Sequence, residues 1–123
     1  MEQTFARRYR LTKTDEYSSV FGFRRAIRGK WLMLHFQPRP AEQTAARLGL
    51  VVGKKLLKRA VDRNRLKRIV REQFRRQRAI LPAYDLIVRL AVKPVPLDGP
   101  ELAEDFLNLL GRLRRPRESR SSA

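Results

Sequence analysis

The sequence contains no cysteine, one histidine and only 12 acidic residues among 123. Without cysteine, neither disulfides nor thiolate metal sites can form. With one histidine and no HExxH or EF-hand pattern, the residues argue against a metal site built by the protein. A nuclease acting alone needs clustered carboxylates or paired histidines, and this sequence offers neither. No apolar run approaches the ~20 residues of a membrane span, and the first residues lack the apolar core of a secretory signal.

Basic residues, in contrast, are abundant. Lys and Arg number 29, of which 22 are Arg, and the net charge is +17 with a sequence pI of about 11.6. Such a charge favours nucleic acid or an anionic membrane as partner. Arginine presents a planar fork to phosphates and stacks on bases, which favours RNA. We therefore expect a soluble cytoplasmic protein that binds RNA, with no membrane partner.

One domain is expected from the length, and hydrophobic residues at 42% suffice for one core. We assign residues 1–115 to a single RNA-binding domain, within which residues 1–10 form a flexible basic arm. Residues 116–123 are basic and rich in serine, so we expect a disordered tail.

The most basic stretch, residues 54–78, holds 12 Lys or Arg and two acids. Helical spacing predicts a long helix from about Leu57 to Ala79, which ends before Pro82. The predicted helix has two faces. Leu66, Ile69, Val70 and Phe74 form its apolar stripe, and Lys67, Arg68, Arg71, Arg75 and Arg78 spread over the opposite side.

The other elements follow from their periodicity. Strands are predicted at 31–37, 47–53 and 84–92, with a short fourth at 23–28 closed by a turn at Gly29-Lys30. A first helix is expected from Thr12 or Thr14, as its cap, to Gly22, and a last one from Asp98 or Gly99. This order predicts an α+β sandwich, with helices packed on a small mixed sheet of up to four strands.

Two features have alternative interpretations. Tyr17 and Phe21 share a helix face, and periodicity alone favours core packing for both rings. Gly49 and Gly53 lie on one face of a strand that leads into Lys54-Lys55. This pattern suits either a phosphate chain close to the backbone or a bulge before a turn.

The segment RLGLVVGKK at 47–55, followed by RAV at 59–61 and RNRLKR at 63–68, resembles the signature of the bacterial ribonuclease P protein subunit. Arg10-Leu11 and the Tyr17-x-x-x-Phe21 pair fit the N-terminal pattern of that family, in which both aromatic positions are commonly Phe. The resemblance spans residues 10–92, and the closing helix fits in position and length.

The resemblance implies an α-β sandwich with a mixed four-stranded sheet and a left-handed βαβ crossover, whereas right-handed crossovers are the strong default. It also implies the function. The protein would assist a catalytic RNA that removes the 5′ leader from precursor tRNA, binding both ribonuclease P RNA and the single-stranded leader. Catalysis and the Mg²⁺ would belong chiefly to the RNA, with no catalytic or metal-binding residue in the protein and no protein partner required.

Two sets of site residues are implied by the resemblance. Those of the RNR helix, which approaches the catalytic RNA, are Arg63, Asn64, Arg65, Lys67, Arg68 and Arg71. Those of the leader cleft are Tyr17, Phe21, His35, Arg47, Lys54 and Lys55. Here the resemblance favours a cleft position over core packing for both aromatic rings. His35 occupies a position where relatives can have Tyr, and Tyr17 occupies one where Phe is common. Both differences from the family pattern keep a planar ring.

Other functions compete with this interpretation. A structural RNA-binding protein, such as a ribosomal one, has the same composition, and the RNR box with its preceding strand favours the processing subunit. Basic helices can also bind membrane surfaces, although the apolar stripe of the last helix fits a core role equally well.

Overall fold

The computed structural model describes residues 9–40, 45–93 and 98–114. Within these residues, three α-helices and four strands follow in the order α1 Thr14–Phe23, β1 Ala26–Arg28, β2 Leu32–Pro38, β3 Arg47–Val51, α2 Ala60–Gln77, β4 Tyr84–Leu90 and α3 Gly99–Arg114. A 3₁₀ turn, Arg78–Ile80, follows α2 directly. The element order therefore matches the one that periodicity predicts.

The strands form one mixed sheet in the order β1-β2-β4-β3. β2 pairs antiparallel with both β1 and β4, and β3 pairs parallel with β4. Because β3 and β4 are parallel neighbours, α2 forms the crossover of a βαβ unit. This confirms the α+β sandwich with a mixed four-stranded sheet; the left hand of the crossover stays a prediction of the resemblance.

Helices cover both faces of the sheet. On one face, α2 and α3 pack over the main core, where Leu66, Val70, Phe74 and Phe106 are at most 1% exposed. On the other face, α1 covers a smaller cluster in which Val20 contacts Ile87 and Leu11. The apolar stripe predicted for the long helix is thus its buried side, and the basic residues are left to the outside.

Local hydrogen bonds set the first helix boundaries. The prediction that Thr12 or Thr14 caps α1 is wrong, because the N-cap is Lys13. The Glu16 carboxylate accepts the backbone N–H groups of Thr12 and Lys13 at 3.0 and 3.1 Å. The helix also runs past Gly22 to Phe23, and Arg24 takes the left-handed conformation at φ 64°. The prediction missed that an acid in the first turn can cap from within the helix.

The long helix begins later than predicted. Residues 54–56 form a turn after β3, and Leu57 donates its backbone N–H to the carbonyl of Gly53 at 3.3 Å. Leu57 is buried in the main core at 5% exposure, so its apolar character belongs to the turn rather than to the helix. α2 itself starts at Ala60.

One buried carboxylate joins the β1–β2 turn to α3. Asp105, 7% exposed, accepts the backbone N–H groups of three consecutive turn residues at 2.8–3.0 Å: Lys30, Trp31 and Leu32. A Cβ on Gly29 would stand 2.5 Å from its Oδ1, so only glycine lets the turn come this close. The last helix is capped as predicted, because Asp98 Oδ1 accepts the N–H of Glu101 at 3.0 Å.

The predicted arm and tail lie largely outside the described residues. Of residues 1–10, Tyr9 and Arg10 are described, and both belong to the folded body. Tyr9 packs against the main core and lies 3.7 Å from the guanidinium of Arg78, and Arg10 forms a parallel bridge with Leu48 beside β3.

Candidate nucleic-acid interface

A cationic flank runs along α2. Asn64, Lys67, Arg68 and Arg71 follow one another at i, i+3, i+4 and i+7, so they share one side of the helix. Asn64 and Arg68 are exposed, whereas Lys67 and Arg71 are partly buried. We call these four residues the α2 flank. The structure therefore brings four of the six predicted RNR-helix residues onto one surface.

The other two RNR-helix residues have different surroundings. Arg63 donates from Nη1 to the carbonyl oxygens of Leu57 and Lys58, at 2.9 and 2.8 Å, and so ties the turn before α2 to the helix. Arg65 is exposed on the side of α2 nearest α3, where a Cβ on Gly99 would stand 3.2 Å from its Nη2. Arg63 therefore positions the helix start, and Arg65 extends the basic surface toward α3.

The opposite face of the sheet forms a cleft beside α1. Cross-strand partners point their side chains to the same face of the sheet, so the strand register identifies the rows of side chains that form the floor of the cleft. One row of cross-strand partners, which comprises Ala26, His35, Ile87 and Gly49, lies under α1. The next row on the same face of the sheet lies beside α1 and is open. We define the cleft by the wall residues Tyr17 and Phe21 and by the floor residues His35 and the open row, which comprises Arg28, Met33, Arg89 and Val51.

The cleft wall presents two aromatic rings of different burial. Phe21 is 37% exposed and meets His35 edge to face, with ring centroids 4.7 Å apart and planes at 72°. Tyr17 is partly buried, contacts the smaller cluster and donates its hydroxyl to the carbonyl of Leu11 at 3.3 Å. Tyr17 therefore packs partly against the core, whereas Phe21 is not a core residue.

Gly49 makes room for a ring rather than for a phosphate chain. A Cβ at this position would stand 2.7 Å from Cζ and Oη of Tyr17, so the ring lies directly on the strand backbone. At Gly53, in contrast, nothing lies within 4 Å of such a Cβ, and the glycine is exposed beside Lys54 and Lys55. Both lysines are exposed in the turn after β3, at one end of the open row.

Arg47, which the resemblance assigns to the leader cleft, is held by two carboxylates of the protein. Its guanidinium donates to both carboxylate oxygens of Asp85, at 2.8 and 2.9 Å, and to Glu16 at 3.1 Å. Hydrogen bonding to Asp85 raises the pKa of Arg47, and backbone N–H donors lower the pKa of Glu16. With two carboxylates beside it, this arginine fixes α1 on the sheet.

The floor also holds Arg89, which sequence reasoning missed because it lies in a mostly apolar strand. Arg89 Nε donates to His35 Nε2 at 3.4 Å, and Nη2 contacts the sulfur of Met33 at 3.0 Å. Burial and then the charge of Arg89 lower the pKa of His35, which favours its neutral imidazole. Period-2 alternation puts Arg89 on the same face as Asp85, and this was the one available signal.

The α2 flank and the cleft meet at the β3 edge. Arg10 pairs beside β3 there, and it lines with Arg68 and Arg71 one open groove of about 780 Å³. Burial, and then repulsion from Arg10, lower the pKa of Arg71, and the side chain of Tyr17 opposes this shift. Arg10 Nε is buried without a hydrogen-bond partner among the residues that the structure describes. Two arginines side by side with an unused donor suit an anion.

The acidic side chains are largely engaged by protein donors. Glu16 and Asp85 hold Arg47, Asp105 holds the β1–β2 turn, and Glu72 pairs with Arg75 and Arg76 on α2. Among residues 9–40, 45–93 and 98–114, no three His, Asp or Glu side chains come together as a metal-ion site. Over the same residues, no helix is both long and apolar enough to span a membrane.

Comparison with known proteins gives a consistent result. A family model described as Ribonuclease P matches residues 5–114. The chain is 56% identical over 112 residues to the ribonuclease P protein component of Azoarcus sp. (strain BH72), covering 91% of this chain and 92% of that protein. The corresponding protein of Aromatoleum aromaticum is 54% identical over 114 residues, covering 93% and 94%.

A solved structure extends the agreement to three dimensions. The ribonuclease P protein from Thermotoga maritima superposes with a TM-score of 0.74 at 30% identity, covering 86% of this chain and 98% of that one. Sequence and fold agree over nearly the whole length, which supports the processing subunit over a ribosomal-type protein. The chain belongs to the family of the bacterial ribonuclease P protein component, the accessory protein subunit that works with ribonuclease P RNA.

Proposed function

We propose that the cleft holds the single-stranded 5′ leader of precursor tRNA while the α2 flank contacts ribonuclease P RNA. The observation that carries this proposal is the exposed Phe21 ring, set against His35 at 4.7 Å and beside Tyr17. Single-stranded nucleic acid is held by rings that stack on bases and by cations that follow the phosphates. Stacking tolerates any base, which suits leaders of differing sequence.

Cations stand where the phosphates of such a strand would run. Lys54 and Lys55 are exposed at one end of the open row, and Arg28 is exposed at the other. Arg10 lies at the β3 edge and lines one groove with Arg71 of the α2 flank. One body can therefore attract two RNA strands at once, and its positive charge reduces the repulsion between ribozyme and substrate.

The protein contributes binding and positioning, and the RNA performs the hydrolysis with its own Mg²⁺. The engaged carboxylates support this division, since Glu16, Asp85 and Asp105 already accept bonds from protein groups. A carboxylate such as Asp15, which is exposed, or Asp62, which is partly buried, would at most assist. We also propose that the protein acts in the cytoplasm and requires no protein partner.

The test compares two aromatic variants with a matched control on the same helix. Tyr17→Ala and Phe21→Ala should weaken binding of precursor tRNA by the holoenzyme much more than binding of mature tRNA. Loss of one stacked base corresponds to about 1–3 kcal/mol, or roughly 5- to 150-fold. Phe23→Ala is the control, because Phe23 is 43% exposed and lies on the opposite side of α1 from Phe21.

Equal losses for precursor and mature tRNA would place the two rings in a structural role and contradict leader binding. A second measurement addresses the processing role directly. Adding the protein to bacterial ribonuclease P RNA at low Mg²⁺ should restore cleavage of precursor tRNA, and the absence of stimulation would contradict it.

A further inference from the structure

We propose that Arg89 reads the edge of a guanine base in the leader, so that a cleft built for any sequence has one preferred nucleotide. The inference rests on the proposed function, since it names a specificity residue within the same cleft. It comes from the position of this guanidinium, its unused donors and the chemistry of its neighbours.

Arg89 is held in place by the sheet. It belongs to β4, an inner strand, and its register partners are Met33 on β2 and Val51 on β3. Nε donates to His35 Nε2 at 3.4 Å and Nη2 to Met33 Sδ at 3.0 Å, so the fork has a fixed direction across the floor. A specificity residue on a rigid strand can discriminate bases better than one on a loop.

The guanidinium has more donors than partners. Arginine carries five N–H groups, and the two contacts of Arg89 are with a neutral imidazole nitrogen at the long limit and with a thioether. Within the described residues no carboxylate pairs with it. Arg47, on the same face of the sheet, pairs with two carboxylates, those of Glu16 and Asp85. The N–H groups of Arg89 that have no partner among the described residues are accessible rather than buried, so a ligand in the cleft can supply acceptors to them.

The neighbours favour a base edge over a phosphate. Arg89 contacts His35 and Met33, and His35 in turn contacts the ring of Phe21. These neighbours are aromatic or apolar, whereas the exposed cations Lys54 and Lys55 lie at the rim. A base that stacks on Phe21 turns its edge toward the floor and leaves its phosphate at the rim. Guanine presents two acceptors, O6 and N7, to the fork of an arginine, whereas adenine presents one acceptor beside a donor.

The experiment measures leader preference in the holoenzyme. Precursor tRNAs with leaders of one length, varied in a single nucleotide at each position in turn, are bound at fixed salt, with ribonuclease P RNA alone as the baseline. At one leader position, guanine should bind about 5- to 150-fold more tightly than the other bases, the discrimination of a good bidentate contact. The RNA alone should lack this preference.

Two substitutions separate base reading from charge. Arg89→Lys keeps the positive charge without the fork and should abolish the preference while most of the leader affinity remains. Arg89→Gln, which suits adenine N6 and N7, should shift the preference toward adenine. The matched control is Arg28→Lys, in the same row of the sheet on an exposed edge strand, which should retain the guanine preference.

Two results would overturn the proposal. One is a wild-type protein that adds no base preference to that of the RNA. The other is an equal loss for all leaders in Arg89→Gln, with Arg89→Lys unaffected and the salt slope reduced by about 0.7, the mark of one phosphate contact with a single strand. Failure of the wild-type holoenzyme to distinguish precursor from mature tRNA would instead refute leader binding itself.

Discussion

Adding one methyl group at Gly49 should move the Tyr17 ring and thereby weaken leader binding without any change in charge. The new Cβ would stand 2.7 Å from Cζ and Oη of Tyr17, well inside the 3.4 Å at which ordinary contact begins. The ring must retreat from the strand, and its hydroxyl must give up the 3.3 Å bond to the carbonyl of Leu11. Gly49→Ala is therefore a steric probe of the cleft wall.

The expected loss of stability in Gly49→Ala depends on which atoms clash. Overpacking costs about 1–3 kcal/mol, and we expect the lower part of that range because the contacted atoms are the outer end of a partly exposed ring. Urea denaturation gives this free energy of unfolding. Displacing a ring that stacks on a base should also lower precursor affinity toward that of Tyr17→Ala, a loss of up to about 1–3 kcal/mol.

A double-mutant cycle gives the decisive comparison. In a Tyr17→Ala background the clash is gone, so Gly49→Ala should cost little, with a coupling of about 0.5–2 kcal/mol between the two sites. Gly53→Ala, in open space just beyond the same strand, is the control and should leave both stability and affinity nearly unchanged. Equal costs of Gly49→Ala in both backgrounds would refute the close contact between ring and strand.

Three further predictions concern other parts of the molecule. Asp105→Ala should lower the free energy of unfolding by about 3–5 kcal/mol, because it leaves three backbone N–H groups without their acceptor; Asp105→Asn, which keeps one oxygen, should cost less, and a loss below about 1 kcal/mol would contradict this role. Glu16 has a lowered pKa in the folded state, so its stabilisation is present above its unfolded pKa near 4.5 and is lost as pH falls through the folded value. Glu16→Gln should make the midpoint of denaturation depend less on pH in that acidic range, and an unchanged pH profile would refute this role of Glu16. Arg65→Ala and Arg68→Ala should each weaken assembly with ribonuclease P RNA and reduce its salt slope by about 1, and an unchanged slope would place the RNA elsewhere.

Elements that bury a periodic stripe were predictable from the sequence. Leu66, Val70 and Phe74 recur every four residues, and all three are at most 1% exposed in the structure. Leu32 and Leu34 alternate along β2 and are fully buried in the same core. Such patterns arise where a helix or strand buries one hydrophobic face, so the periodicity alone predicts these elements and their buried residues.

Contacts between distant parts of the chain were not predictable in this way. Arg47 was assigned to the cleft, but its partner Asp85 lies 38 residues away and meets it only through the parallel register of β3 and β4. Asp105 caps a turn 73–75 residues earlier in the chain. Arg89 gains its surroundings from β2. Spacing gives the face of each residue, and only the pairing of strands gives its neighbours.

The β3 edge determines how one small protein can engage two RNAs. α2 and α1 lie on opposite faces of the sheet, so a strand in the cleft and an RNA on the α2 flank approach each other only around an edge. At the β3 edge, Arg10 bridges to Leu48 and lines one groove together with Arg71, whose pKa is lowered chiefly by burial, a shift that the side chain of Tyr17 opposes. Arg71 therefore stands between the two surfaces, and we expect that its removal weakens ribozyme assembly and leader binding together. Arg68, one turn earlier on the exposed crest of α2, should affect assembly alone.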